Sequence, residues 1–298
     1  MRGTRVPVVV TGAAGFIGAA LVRELAWAGV PVVAVDRRPA PLPAGVVGIV
    51  ADLLGPDGAV ADALAGADAV FHLAGRPGVR DADPDAPRYR HRDNVLATRR
   101  VLALVRRDTP LVVTSSSSVY GGSRGRPCAE GDPLRPLGGY ARSKAAVERL
   151  CARRLAGGGA VGVARPFTVV GEGQRADMAL AVWAAAARRG DPIRIHGSPY
   201  RTRDVTDVRD VARALRLMAE RAVTGPLNIG TGHPRTLLEL AGAIRRATGP
   251  VPAVLVPADA ADPTDTRADT ALATRRLGFR PRTDLDDVVR RLLVPVPV

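Results

Sequence analysis

Lysine is almost missing from this chain. Of its 43 basic residues, one is lysine and all the others are arginine. A fold that accepts arginine nearly everywhere keeps lysine at position 144, where a compact ammonium can do what a planar guanidinium cannot. Aromatic residues make up 3% of the chain, too few for a surface on which bases could stack. The formal charge of +14 comes from arginines spread along the chain and mixed with aspartates, so it does not read as a nucleic-acid patch. There are 2 cysteines, Cys128 and Cys151, read as free thiols in a reducing, cytoplasmic setting. No apolar run approaches the roughly 20 residues of a membrane span. The opening Val6–Val10 run is short and lacks a small-residue cleavage pattern, so a first strand is expected there instead of a signal peptide.

The 298 residues are 46% hydrophobic, enough for one large domain or one domain with a lobe. Strands are expected at 6–10, 31–36, 46–50, 69–73, 111–115 and 160–165. Helices are expected at 16–28, 57–65, 89–107 and 140–155. Val8-Val9-Val10 and Leu111-Val112-Val113 are continuously apolar, as in strands covered on both faces. Alternation of this kind predicts an α/β fold, a doubly wound parallel sheet of Rossmann type. Beyond Arg165, Gly190-Asp191-Pro192 and Thr248-Gly249-Pro250 break the rhythm into shorter pieces. The expected organisation is a dinucleotide-binding domain over 1–165, with 206–232 returning to it, and a smaller substrate-binding lobe formed mainly by 166–298.

Thr11-Gly12-Ala13-Ala14-Gly15-Phe16-Ile17-Gly18 follows the first strand and opens a helix. Gly12, Gly15 and Gly18 let the backbone approach a pyrophosphate, which the helix N-terminus stabilises. Asp36 ends the next strand, where a carboxylate accepts the ribose hydroxyls and repels a 2′-phosphate. NAD is therefore the expected cofactor, although Arg37 and Arg38 could tolerate the phosphate of NADP. Asp52-Leu53 is placed to meet the adenine edge. Leu73-Ala74-Gly75 is small enough to lie along the cofactor, and the preceding His72 reads as a packed histidine.

Tyr140 and Lys144 stand four apart on one helical face. A phenol with an ordinary pKa near 10 is a poor base at neutrality. A neighbouring ammonium and a cationic nicotinamide both favour its phenolate, which can then exchange a proton with a sugar hydroxyl during hydride transfer. Upstream, Thr114-Ser115-Ser116-Ser117-Ser118 continues an apolar strand, so its hydroxyls reach the ligand crevice at the carboxyl end of the sheet.

Together these residues resemble the extended short-chain dehydrogenase/reductase family, which includes the nucleotide-sugar epimerases. The resemblance runs through the glycine loop, Asp36, His72-Leu73-Ala74-Gly75, Ser-Ser-Ser-Val-Tyr-Gly, Tyr140/Lys144, Arg203-Asp204 and Asn228-Ile229-Gly230. It implies Ser116, Tyr140 and Lys144 as the catalytic set. It implies Phe16, Ile17, Arg37 and Asn94 as further cofactor contacts, and Arg80, Ser117, Ser118 and Arg203 as substrate contacts, Arg203 toward the nucleotide diphosphate. No metal is implied. The family's dehydratases and decarboxylases carry acids where Ser117 and Ser118 stand, so elimination and decarboxylation rank low.

Thr168, where most of the family has Asn, together with Arg175 resembles the UDP-glucuronate 4-epimerases. In that group the pair holds the sugar carboxylate. The expected reaction is NAD-dependent 4-epimerisation of a UDP-sugar, UDP-glucuronate to UDP-galacturonate. Alternatives are a neutral nucleotide sugar, or one-way reduction of a 4-keto sugar with NAD(P)H. A non-catalytic dinucleotide sensor is disfavoured because Ser116, Tyr140 and Lys144 are all retained. The resemblance also implies a homodimer through the helices at 89–107 and 140–155. Three departures stand out: Val170 and Glu172 replace the usual Tyr and Pro, Asp207 replaces an aromatic or His, and no arginine lies near 259–262, leaving Arg267 as its stand-in.

Overall fold

The structure is a computed structural model that describes residues 6–78, 83–258 and 262–294. The first half alternates β1 (Val8–Thr11), α1 (Phe16–Trp27), β2 (Val32–Asp36), β3 (Val47–Val50), α2 (Gly58–Gly66) and β4 (Val70–His72). Then come α3 (Ala86–Arg90), one π-helical segment (His91–Leu96) and α4 (Ala97–Leu104), followed by β5 (Leu111–Thr114), α5 (Gly138–Ala156) and β6 (Val161–Pro166). The remainder is β7 (Val169–Val170), α6 (Ala179–Arg189), β8 (Ile193–His196), β9 (Thr202–Arg203), β10 (Thr206–Asp207) and α7 (Val208–Glu220). It closes with β11 (Gly225–Ile229), β12 (Arg235–Thr236), α8 (Leu237–Thr248), β13 (Ala253–Val256), α9 (Ala271–Leu277) and α10 (Leu285–Leu293).

Seven strands form one parallel sheet in the order β3-β2-β1-β4-β5-β6-β11. The β-branched runs explain its centre: every residue of β1 and β5 is buried, as required of strands covered by helices on both faces. The chain reverses direction across the sheet between β1 and β4, which opens a crevice at their carboxyl ends. β11 joins this sheet beside β6, and α7 packs against α1. One sheet face packs Leu21 and Leu25 of α1 against Leu215 and Met218 of α7. The other packs β5 against Leu64, Val101 and Val147. A separate apolar cluster joins α6, β8, α8 and α10 through Trp183, Ile193, Ile244 and Val288. Ala273, Leu277 and Phe279, around α9, pack instead with the sheet side.

The expected strands appear within about two residues of their predicted ends. The helix predicted at 89–107 does not run through. It widens into a π turn at His91–Leu96 before resuming as α4. Inside it, Thr98 Oγ1 donates to the Asn94 carbonyl at 2.6 Å, a side-chain bond that competes with the regular helical register. Both cysteines are buried free thiols, as expected. Among the described residues, no helix is long and apolar enough to cross a membrane.

Candidate active site

The glycine loop leaves β1 at Gly12, whose φ of 74° is left-handed, and a Cβ there would lie 2.5 Å from the Ala74 nitrogen. A Cβ on Gly18 would collide with the Gly12 carbonyl, so glycine is what lets α1 sit against the loop. α1 begins after Gly15 with no side-chain cap, leaving its first N–H groups for a ligand. Phe16 and Ile17 pack partly into the core. Asp36 braces the loop: one carboxylate oxygen accepts from the Ala14 N–H at 3.0 Å and the other from the Arg38 N–H at 3.0 Å. Arg37 pairs with Asp93 at 3.3 Å, which directs its charge to a carboxylate. Asp52 pairs with Arg92; burial opposes its charge, but that bond and the Leu54 N–H hold the carboxyl below its ordinary value. The Leu53 side chain lies in the core, so its main chain is what remains for an adenine. This cradle of uncapped helix start, glycine turn and carboxylate fits a dinucleotide.

Across the crevice, His72 is fully enclosed and burial lowers its pKa to about 3, so it is neutral. Its tautomer follows from its neighbours. Thr98 spends its proton on the Asn94 carbonyl, so it must accept from His72 Nε2 at 3.0 Å. Nδ1 then accepts from the Thr11 hydroxyl at 2.7 Å, and that hydroxyl accepts from the Ala74 N–H at 3.4 Å. The chain of bonds ties β1, β4 and the π turn together. Asn94, on that turn, accepts from the Arg76 N–H at 2.7 Å and donates to Ser143 Oγ at 2.8 Å. Ser143 in turn donates to the Tyr140 carbonyl at 2.7 Å. The π turn thus aims a buried amide at the helix that carries Tyr140 and Lys144.

Tyr140 lies in the first turn of α5, where the helix dipole favours a phenolate. It is half-buried, and desolvation pushes its phenol above the ordinary value, opposed by the Ser116 side chain and by the Arg175 charge. Lys144 is buried, with Nζ 6.0 Å from the centre of the Tyr140 ring. Burial lowers its pKa to about 8, while Cys151 and Glu148 act to raise it. Nζ donates to the Thr114 carbonyl at 2.8 Å, which leaves two of its three protons for a ligand. Ser116 Oγ also accepts from the Ser118 N–H at 3.2 Å. Sequence, helix and strand end therefore bring Ser116, Tyr140 and Lys144 together.

Ser118 Oγ, Thr114 Oγ1 and Gln174 Nε2 are buried without a protein partner. Folded chains avoid this, so these atoms are candidates for ligand bonds. Thr114 lies in the hydroxyl run expected to reach the crevice; Gln174 was not anticipated from sequence, although it stands next to Arg175. Arg175 grips Asp177 through two bonds of 2.8 and 2.9 Å, both side chains being substantially exposed. Thr168 is half-buried, and its carbonyl accepts from the Thr206 N–H at 3.0 Å. Arg203 donates to the carbonyls of Thr202 and Thr264 at 2.8 and 3.1 Å. Beside it, buried Asp204 accepts from Thr231, Gly232 and Ala268 N–H groups at 2.8 to 2.9 Å, tying the end of β9 to the turn after β11 and to the segment before α9. Arg267 donates to the Gly232 carbonyl at 3.1 Å, near the same segments. Arg80 lies outside the described residues.

Two departures from the family pattern have one explanation. Glu172 and Asp207 both pair with Arg291 of α10, Glu172 at 3.1 Å. Asp207 also caps α7, accepting from the Arg209 N–H at 2.9 Å. The substituted positions anchor the last helix to β10 and to the turn after β7.

The sequence profile of the NAD dependent epimerase/dehydratase family matches residues 8–230. The chain belongs to that family. A Bacillus subtilis (strain 168) protein named as an uncharacterized UDP-glucose epimerase is 30% identical over 302 residues, 94% of each chain. MoeE5, solved with UDP-glucuronic acid and NAD and also with UDP-glucose and NAD, is 42% identical and superposes with a TM-score of 0.87, covering 96% of this chain and 97% of its own. The UDP-glucuronic acid 4-epimerase of Bacillus cereus, solved with UDP-glucuronic acid and NAD, is 26% identical with a TM-score of 0.89 over 96% of this chain and 98% of its own.

Proposed function

We propose that this enzyme epimerises UDP-glucuronate at C4, giving UDP-galacturonate through a transient 4-keto sugar. The observation that carries the reading is Arg175: its guanidinium fork already grips a carboxylate, that of Asp177, through two bonds of 2.8 and 2.9 Å. A bidentate fork is suited to a carboxylate. Thr168 supplies the second grip, and the 42% identical MoeE5 bound to UDP-glucuronic acid supports the class of ligand.

In the proposed roles, Gly12, Gly15 and Gly18 with the start of α1 hold the pyrophosphate, and Asp36 holds the adenosine ribose. Asn94 keeps α5 in place, while Lys144 donates to the nicotinamide ribose and favours the Tyr140 phenolate. Held by these residues, NAD would supply a reversible hydride acceptor for C4, and inversion would follow from hydride returning to the opposite face once the keto sugar has turned. Tyr140 removes the C4 hydroxyl proton and later gives it back, with Ser116 bonding the same oxygen. Arg203 and Arg267 hold the diphosphate. The 4-keto sugar is a β-keto acid, which loses CO2 when the breaking bond stands perpendicular to the carbonyl plane. The grip of Thr168 and Arg175 keeps the carboxylate out of that alignment.

The test is incubation of purified protein with UDP-glucuronate, UDP-glucose and UDP-N-acetylglucosamine without added NADH. Epimer from UDP-glucuronate in preference to the others is expected. Reduced product with net cofactor consumption would replace the reading with a ketoreductase. Preferential epimerisation of UDP-glucose, which MoeE5 also binds, would replace it with a neutral-sugar epimerase. We further propose a homodimer through α4 and α5. Their exposed residues include Arg99, Arg142, Arg149 and Arg153 and no acid, so self-association should strengthen as salt screens them; a sedimentation series in which salt weakens it would count against that interface.

A further inference from the structure

Three consecutive residues at the end of β5 meet three consecutive turns of α5. The Thr114 carbonyl accepts from Lys144 Nζ at 2.8 Å. The Ser115 hydroxyl donates to Glu148 Oε1 at 2.5 Å. The Ser116 side chain acts on the Tyr140 phenol, opposing the rise in its pKa that burial causes. Tyr140, Lys144 and Glu148 fall at i, i+4 and i+8, one stripe of the helix. Two of these contacts belong to the proposed catalytic set. The third belongs to a buried acid to which that chemistry gives no task.

Glu148 is itself held rigidly. Arg165 of β6 meets it with two parallel bonds, Nε to Oε1 at 3.0 Å and Nη2 to Oε2 at 2.6 Å. The side chains are 9% and 5% exposed, so neither charge would be tolerated alone. Arg165 Nη1 continues to the Tyr120 hydroxyl at 2.7 Å and the Glu130 carbonyl at 3.0 Å. Tyr120 donates to Asn228 Oδ1 at 2.7 Å, and Asn228 donates to the carbonyls of Cys128 and Asp269 at 2.8 and 3.3 Å. The acid on the catalytic helix is therefore bolted through β6 to β11 and to the segment following 262.

We propose that Glu148, clamped by Arg165, is a positioning residue that sets the register of α5 on the end of β5, so that Tyr140 meets Ser116 and Lys144 meets the cofactor ribose. A helix sliding or rotating by a fraction of a turn would carry both catalytic side chains out of reach, and a shift of about 1 Å at such a centre costs on the order of 10²-fold in rate. The pair also leaves Lys144 a negative neighbour whose own charge is balanced. The charged and titratable groups around Lys144 are Tyr140, Glu148 and Cys151 on its own helix, His72 from β4, and Arg165 behind Glu148 on β6.

The proposal rests on the hydride chemistry assigned above but not on which UDP-sugar is used. Each variant is compared with the full-length wild type on whichever UDP-sugar the wild type turns over, so a wrong substrate leaves the comparison intact. Glu148→Gln keeps shape and removes charge. It should lower kcat by about 10- to 100-fold with KM within about threefold, and move the alkaline limb of the kcat profile to lower pH, because Lys144 loses the acid that holds its pKa up. Glu148→Asp keeps the charge and should restore the limb while kcat stays reduced. Ser115→Ala removes one hydroxyl of the zipper, and covers the case in which Glu148→Gln fails to fold. It should lower kcat several-fold with the circular dichroism and bound NAD of the wild type. Wild-type kcat in a folded Ser115→Ala, or a folded Glu148→Gln with an unmoved limb, overturns the proposal.

Discussion

The floor of the crevice and its rim use the same charged residues but hold them differently. On the floor, Lys144, Glu148 and Arg165 are almost wholly buried, and each is fixed by a named partner on another element. On the rim, the Arg175–Asp177 pair is 41% and 66% exposed. A buried charge is costly to disturb, because the partner left behind is stranded. An exposed pair contributes little and exchanges partners readily. In the proposed reaction, chemistry that must be repeated unchanged therefore sits on the floor, and recognition that must yield to an incoming ligand sits on the rim. Substitutions on the two sides should differ in size and in kind.

The largest effect belongs to Lys144→Arg. In a chain with one lysine among 43 basic residues, this change keeps charge and matches the prevailing composition. It should nonetheless lower kcat by about 10²- to 10⁴-fold, the range of a lost acid–base contribution. A planar fork cannot both bond the Thr114 carbonyl in this closed space and donate as a point charge to a ribose. Steady-state kinetics with bound NAD measured alongside gives the answer, and near-normal turnover would mean that the lone lysine is an accident of composition. In the wild type, a Lys144 pKa of about 8 sets an alkaline limb to kcat near that pH, with activity falling as the ammonium deprotonates.

On the rim, Arg175→Ala should act by substrate. Turnover of UDP-glucuronate is expected to fall about 10- to 100-fold, equivalent to roughly 1.4 to 2.8 kcal/mol at a tenfold per 1.4 kcal/mol. Turnover of UDP-glucose should change by less than about threefold. CO2 release per epimerisation should rise, because the carboxylate is freed to align for loss. Equal losses on both sugars would place Arg175 with the floor instead of the rim and remove the main support for the uronate.

Most of the floor was legible because its signals are local. The glycine loop, Asp36 at a strand end and the four-residue spacing of Tyr140 and Lys144 each follow from short-range geometry. Glu148 continues that spacing by one turn and was visible in principle. Its meaning was not, because Arg165 lies 17 residues on and Tyr120 reaches Asn228 across 108. The π turn escaped because helix periodicity carries no mark of one threonine bonding back to Asn94. Glu172 and Asp207 looked like departures until Arg291, 119 residues beyond Glu172, was seen to pair with them both. Arg203, Thr168 and Arg175 could be named from resemblance, but where Arg203 and Thr168 stand is set by distant segments: the Thr168 carbonyl meets Thr206, and Arg203 meets Thr264.

A smaller effect on the floor concerns stability alone. His72 takes up no second ring proton down to about pH 3, whereas in the unfolded chain it titrates near 6.5. Between those values the unfolded state binds more protons, so stability rises with pH and is lost as pH falls, by up to about 1.4 kcal/mol per unit. His72→Asn removes that dependence. Urea midpoints measured at several pH values from 4 to 7 should slope less steeply for the variant than for the wild type; parallel slopes would show that His72 becomes charged inside the fold.

The smallest expected effect is on the rim, at Asp177. Its carboxylate occupies the Arg175 fork at 2.8 and 2.9 Å, in the same fashion expected of a sugar carboxylate. A uronate must share that fork or displace its occupant, whereas a neutral sugar leaves the pair untouched. Because an exposed ion pair is worth about 0–1 kcal/mol, releasing Arg175 can gain no more than roughly fivefold in affinity. Asp177→Asn should therefore lower KM for UDP-glucuronate by about two- to fivefold and leave KM for UDP-glucose unchanged. A rise in the uronate KM would reverse the assignment: Asp177 would then be holding Arg175 in place for the substrate, and the rim would share the fixed character of the floor.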